Sequence, residues 1–114
     1  MIIVRITMNA LPEKQKEVMQ TLLSMIKTAG GEAGCLSYEG FCDLEDDGAF
    51  SLIGEWATRE DLDRHIRSER FSVLLGTKSL LAQPLGIHIH NVSYSEGEDV
   101  VRSLRGGRTL PTHS

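Results

Sequence analysis

Apolar and polar positions alternate from the first residues of the chain. Ile2, Val4, Ile6 and Met8 share one parity, and Ile3, Arg5 and Thr7 the other. Period-two patterning rich in β-branched residues predicts a strand over 2–8. Pro12 suits the first turn of a helix, where its missing N–H is not needed. Val18, Leu22, Met25 and Ile26 then fall on one helical stripe, flanked by Met19 and Leu23. Gly30-Gly31 reads as the stop, because glycine readily takes the left-handed conformation after a last turn. A second strand is predicted over 35–43. Glu45-Asp46-Asp47-Gly48 then supplies a polar turn into Ala49–Trp56. Thr58 caps the next helix, with Asp61 in the fourth position of a capping-box-like pattern, and Leu62, His65 and Ile66 form its inner stripe. Ser68 opens a second segment in which Phe71, Leu74, Leu75 and Leu81 face inward. Pro84 ends that helix, and 85–94 reads as the last strand.

The order is βαββαβ, an α+β, ferredoxin-like arrangement of an antiparallel sheet with helices on one face. Ile3, Phe41 and Ile53 lie opposite their strands' other apolar sets, so the second face also carries hydrophobic residues. A partner's sheet is the economical cover for it, and a homodimer is expected.

At 114 residues the chain is most economically one domain, residues 1–94, followed by a polar C-terminal arm over 95–114. A net charge of −4 and an aromatic content of 5% leave no basic footprint or stacking platform for nucleic acid. No apolar run approaches the roughly 20 residues of a membrane span, and Met1 leads into Ile2-Ile3-Val4 without a signal-peptide pattern, so a cytoplasmic protein is expected. Cys35 and Cys42 sit on one predicted strand about 23 Å apart, on opposite faces, out of disulfide reach. In the arm, Ser95-Glu96-Gly97-Glu98-Asp99 precedes Arg102, Arg105 and Arg108. Its composition alone reads as disordered. Docking of Val100, Val101 and Leu104 on a partner subunit, with arginines meeting acidic side chains, is the expectation.

The candidate chemistry centres on His65, an imidazole turned toward the sheet from an apolar helix stripe. Its plain reading is a hydrogen-bonded core histidine. Its functional reading is a proton-transfer group facing a small apolar pocket, since histidine exchanges protons near neutral pH. Tyr38 and Trp56 share parity with Leu36 and Phe50 and are placed to line the same chamber, either as packing or as substrate contacts. Asn9 could offer its amide to an oxyanion or simply serve a turn. His88 and His90 lie on one strand face roughly 7 Å apart, but no third ligand is identifiable by spacing, so no metal site is assigned. Glu55 is expected to pair with a cation such as Arg5.

Gly34…Tyr38, Glu55-Trp56 and His65…Ser68…Phe71, in that order and spacing, resemble the antibiotic-biosynthesis monooxygenase family of small dimeric α+β barrels. The resemblance covers residues 1–94. It implies a homodimeric barrel and, in one branch, oxygenation of a phenolic or quinol-type small molecule without a cofactor. There His65 would move the proton, and Tyr38, Trp56 and Asn9 would hold the substrate. Arg70 stands where many relatives carry a second histidine. The iron-binding histidine of the haem-degrading branch falls at Leu75, which cannot ligate iron, and that branch has tryptophan at the position of His65. A non-catalytic small-molecule binding or stress-response module, and a proton-shuttling isomerase, are the alternative readings of the same fold.

Overall fold

The alternation at the N-terminus becomes strand β1 (Ile2–Asn9), with Ile2, Val4, Ile6 and Met8 buried on one side. The structure is a computed structural model, and it describes residues 1–106. A 3-10 turn at Pro12–Lys14 leads into helix α1 (Gln15–Ala29). Strands β2 (Cys35–Cys42) and β3 (Ala49–Trp56) form a hairpin. Helices α2 (Arg59–Ile66) and α3 (Glu69–Leu75) follow, then a 3-10 turn at Gly76–Leu80, strand β4 (Gly86–Asn91) and a short helix α4 (Glu98–Leu104). The strands lie in the order β2-β3-β1-β4, every neighbour antiparallel. The chain is therefore an α+β, ferredoxin-like βαββαβ fold. Among the described residues no helix is long and apolar enough to cross a membrane.

The even residues of β1 and β3 face Val18, Leu22 and Met25 of α1, Leu62 of α2, and Phe71 and Leu74 of α3 in one core. Each such side chain contributes about 1.5–3 kcal/mol by leaving water. Thr58 caps α2 as expected: its hydroxyl accepts from the Asp61 N–H at 3.2 Å and donates to the Asp61 carboxylate at 2.8 Å. Ser68 caps α3, accepting from the Phe71 N–H at 3.3 Å.

Several expectations are corrected. Gly30 ends α1 in a right-handed conformation (φ −61°); the left-handed glycine is Gly34 (φ +80°), four residues later. A Cβ at Gly34 would collide with the Asp61 side chain, so the loop needs glycine for closeness as well as for φ. The helix after Ser68 stops at Leu75, well before Pro84, and Leu75 is exposed. A bulge lies between Cys35 and Ser37: Cys35 pairs with Trp56 and Ser37 with Glu55, leaving Leu36 unpaired and 56% exposed. The extra residue resets parity, so Cys35 and Cys42, paired with Trp56 and Phe50, face the same side. Both thiols are free.

On the helix-free face, cross-strand pairing aligns two rows. One is Ser37, Glu55, Ile3 and His90; the other is Glu39, Ile53, Arg5 and His88. Glu55 is thus one row from Arg5, and no ion pair joins them among the described residues. The arm, whose composition alone reads as disordered, contains α4, none of whose residues is buried. Arg108 lies outside the described residues.

Candidate functional site

At the end of the sheet where β3 finishes, Trp56 and His65 are stacked, their ring centroids 4.7 Å apart and their planes inclined by 28°. β3 delivers Trp56 to the helix side opposite Ile2, and α2 delivers His65 above it. The edges of Tyr38 and Phe71 close the imidazole in, with centroids at 5.4 and 5.5 Å. Gly54 permits this packing, since a Cβ there would stand 3.0 Å from Trp56 Nε1 and 3.2 Å from the Tyr38 ring. His65 is 1% exposed and Trp56 0%. The chamber expected at His65 is occupied by the rings of Tyr38, Trp56 and Phe71.

The polar order of the site comes from a residue that the sequence pattern did not single out. Glu32 accepts from His65 Nδ1 with both carboxylate oxygens, at 3.0 and 3.1 Å. Arg70, on the first turn of α3, donates to Glu32 Oε2 at 3.0 Å. A carboxylate only accepts, so the assigned proton sits on Nδ1, leaving Nε2 to accept from the Tyr38 hydroxyl, 3.3 Å away. Arg70, Glu32, His65 and Tyr38 form one hydrogen-bonded file from the surface to the core. Glu32 is held at both ends of its own backbone: its N–H donates to Ala29 O (3.0 Å) and its carbonyl accepts from Cys35 N (3.1 Å). The tight turn after α1 therefore aims its side chain.

Burial, and then the negative charge of Glu32, push the Tyr38 phenol well above its ordinary value of 10.0, with Cys35 adding a smaller push. Tyr38 therefore stays a hydroxyl and acts as a donor. Burial, then Glu32, raises the Cys35 thiol as well, against a smaller lowering by its hydrogen bond with the Ser37 backbone. Trp56 Nε1 is buried with no hydrogen-bond partner among the described residues. Such a donor costs about 1–3 kcal/mol unless something accepts from it.

Asn9 is not part of this group. It pairs with Ala49, at the far end of β1 from the Ile2–Trp56 pair, and shares the opposite face with Arg5 and Thr7. Its amide reaches Gln83 at 3.5 Å. His88 and His90 also lie on the helix-free face, opposite Arg5 and Ile3. Among the described residues no three His, Cys, Asp or Glu side chains gather as a metal site.

The model of the antibiotic biosynthesis monooxygenase family matches residues 1–74, well over half of the chain. The chain belongs to that family. The structure of a conserved protein from Methanosarcina mazei Go1 is 30% identical, over 78% of this chain and 89% of that one, with a TM-score of 0.73. A structure named antibiotic biosynthesis monooxygenase is 25% identical, over 82% of this chain and all of the other, with a TM-score of 0.76. A Deinococcus radiodurans protein shares the fold at 22% identity, with a TM-score of 0.80 over 86% of this chain and 98% of its own. No curated protein matches. Members of the family share the fold, and a shared fold does not by itself fix the chemistry.

Proposed function

We propose that this family member is a cofactor-independent monooxygenase acting on a small phenolic or quinol-type molecule. The observation that carries the reading is the Arg70–Glu32–His65–Tyr38 file ending beside the unpaired Trp56 N–H. The substrate hydroxyl gives its proton to His65 Nε2 once Tyr38 or Phe71 turns aside, and the imidazolium formed is balanced by Glu32. The indole N–H donates to the oxygen that has lost its proton. The electron-rich phenolate reduces O₂ itself. In a phenol one oxygen atom enters the ring carbon para to the hydroxyl, in a quinol it enters an unsubstituted ring carbon, and in both the other oxygen leaves as water with two of the substrate's hydrogens. Phenol and O₂ thus give quinone and water, with all four electrons from the substrate. The protein supplies deprotonation, orientation and exclusion of water. Oxygen uptake in the presence of a quinol panel tests it.

Complete burial of His65, with both ring nitrogens engaged, supports a second reading in which the ring is a core element of a non-catalytic binding module. A proton-shuttling isomerase would use the same base without consuming oxygen.

A homodimer joined through the helix-free faces, in the cytoplasm, is part of the proposed reading. Ile3, Ile53 and the 49% exposed Phe41 need cover, and the charges on that face are divided. Glu39 and Glu55 lie on β2 and β3, whereas Arg5, His88 and His90 lie on β1 and β4. For nearly aligned sheets, a two-fold axis across the strands would set acid against acid. An axis along the strands sets each acidic half over the partner's basic half. That choice lays β4 of one protomer over β2 of the other.

A further inference from the structure

Among the described residues, a groove at one sheet edge and the arm beyond the other both leave apolar side chains uncovered. We propose that they cover each other between two copies, with α4 of one protomer seated in the α1–β2 groove of its partner. The proposal rests on the face-to-face dimer above.

The groove, about 160 Å³, runs between Met19, Leu23 and Ile26 of α1 and Gly40, Phe41 and Cys42 of β2. The arm carries Val100, Val101 and Leu104 on one stripe of α4, spaced to share a helix face. Leu104 is 83% exposed. No residue of α4 is buried, so the arm does not pack into its own core.

Length, direction and charge agree with this seat. Val92 to Gly97 can extend about 20 Å, enough to pass from β4 around the edge of a sheet stacked about 10 Å away. With the two-fold axis along the strands, β4 ends beside the start of the partner's β2, where the partner's α1 finishes. From there α4 runs toward the β2–β3 turn. Its length of about 10 Å equals the rise from Met19 to Ile26 along α1. Glu98 and Asp99 then approach Lys27 of the partner subunit. Arg102 and Arg105 approach the acidic turn containing Asp43, Glu45, Asp46 and Asp47. In the opposite direction both ends would meet like charge.

Cys42 in the groove allows a direct test in the full chain. In a Cys35→Ser background, Leu104→Cys under mild oxidation should give a covalent dimer through Cys42 of the partner subunit. Cys42→Ser should abolish the link. Leu23→Asp should reduce it at least tenfold while sedimentation still reports a dimer. A dimer whose arm thiol stays unlinked, or links within its own chain, overturns the seat and leaves the dimer standing. That is the outcome for an arm resting on its own β4. A monomer at micromolar concentration overturns the seat and the dimer together.

Discussion

Glu32 embraces His65 Nδ1 with both carboxylate oxygens although the two residues are 33 positions apart. The contact joins the turn after α1 to the inner face of α2, and it decides which ring nitrogen carries the proton. It also makes the site asymmetric. The carboxylate side is partly open and tied to Arg70, whereas the Nε2 side is sealed among rings. A proton accepted at Nε2 therefore creates a cation whose counter-charge is already in place.

Removing that carboxylate should cost stability as well as chemistry. Glu32→Ala leaves a buried Nδ1–H without an acceptor, a loss of about 1–3 kcal/mol. Arg70→Ala removes only the exposed partner and should cost less than about 1 kcal/mol. Urea unfolding of the two variants measures the difference. Equal midpoints would mean that Glu32 does not hold the imidazole.

The raised Tyr38 pKa has a definite sign in stability. The folded protein keeps the phenol protonated above pH 10, where the unfolded chain releases it, so stability is full below pH 10 and falls as pH rises past it. Tyr38→Phe lacks this titration. Its melting temperature should decline less steeply than that of the wild type between about pH 9.5 and 11.5. Parallel declines would contradict the burial of the hydroxyl.

Gly34 is the backbone position on which the Glu32 turn depends. Gly34→Ala forces an L residue to φ +80° and drives its Cβ into Asp61, the partner of the Thr58 cap. The combined cost should be roughly 2–3 kcal/mol, read as a lower urea midpoint. Gly31→Ala, whose Cβ meets only Thr28 O at 3.7 Å, is the control.

Much of the fold was legible because burial follows period: β1, the α1 stripe and the two hydroxyl caps can all be read from spacing. Leu36 shows where period fails. A bulge inserts one residue and inverts the parity on one side of it, with no hydrophobic signature of its own. The site divided in the same way. His65, Tyr38 and Trp56 meet as their stripes suggest, and Asn9 does not, because parity and strand end both place it elsewhere. Glu32 was invisible since it sits in a loop, where no periodicity states what a side chain faces.

The divided charge of the helix-free face gives the dimer a specific weakness. Arg5→Glu places an acid in the basic half, opposite the partner's Glu39 and Glu55, and should weaken association at least tenfold, about 1.4 kcal/mol or more. Truncation after Tyr94 should also weaken it while leaving the βαββαβ core folded. Sedimentation over a concentration series reads both. Unchanged association in Arg5→Glu would contradict the strand-parallel two-fold.

Oxygen uptake tests the central claim most directly. Wild-type protein, without added cofactor, should consume one O₂ per quinone formed for at least one member of a panel of phenols and quinols. His65→Ala, shown to be folded by circular dichroism, should reduce that rate by roughly 10²–10⁴-fold. Uptake no faster than the uncatalysed background across the panel, or full activity in folded His65→Ala, would contradict the assignment of His65 as the base of a cofactor-independent monooxygenase.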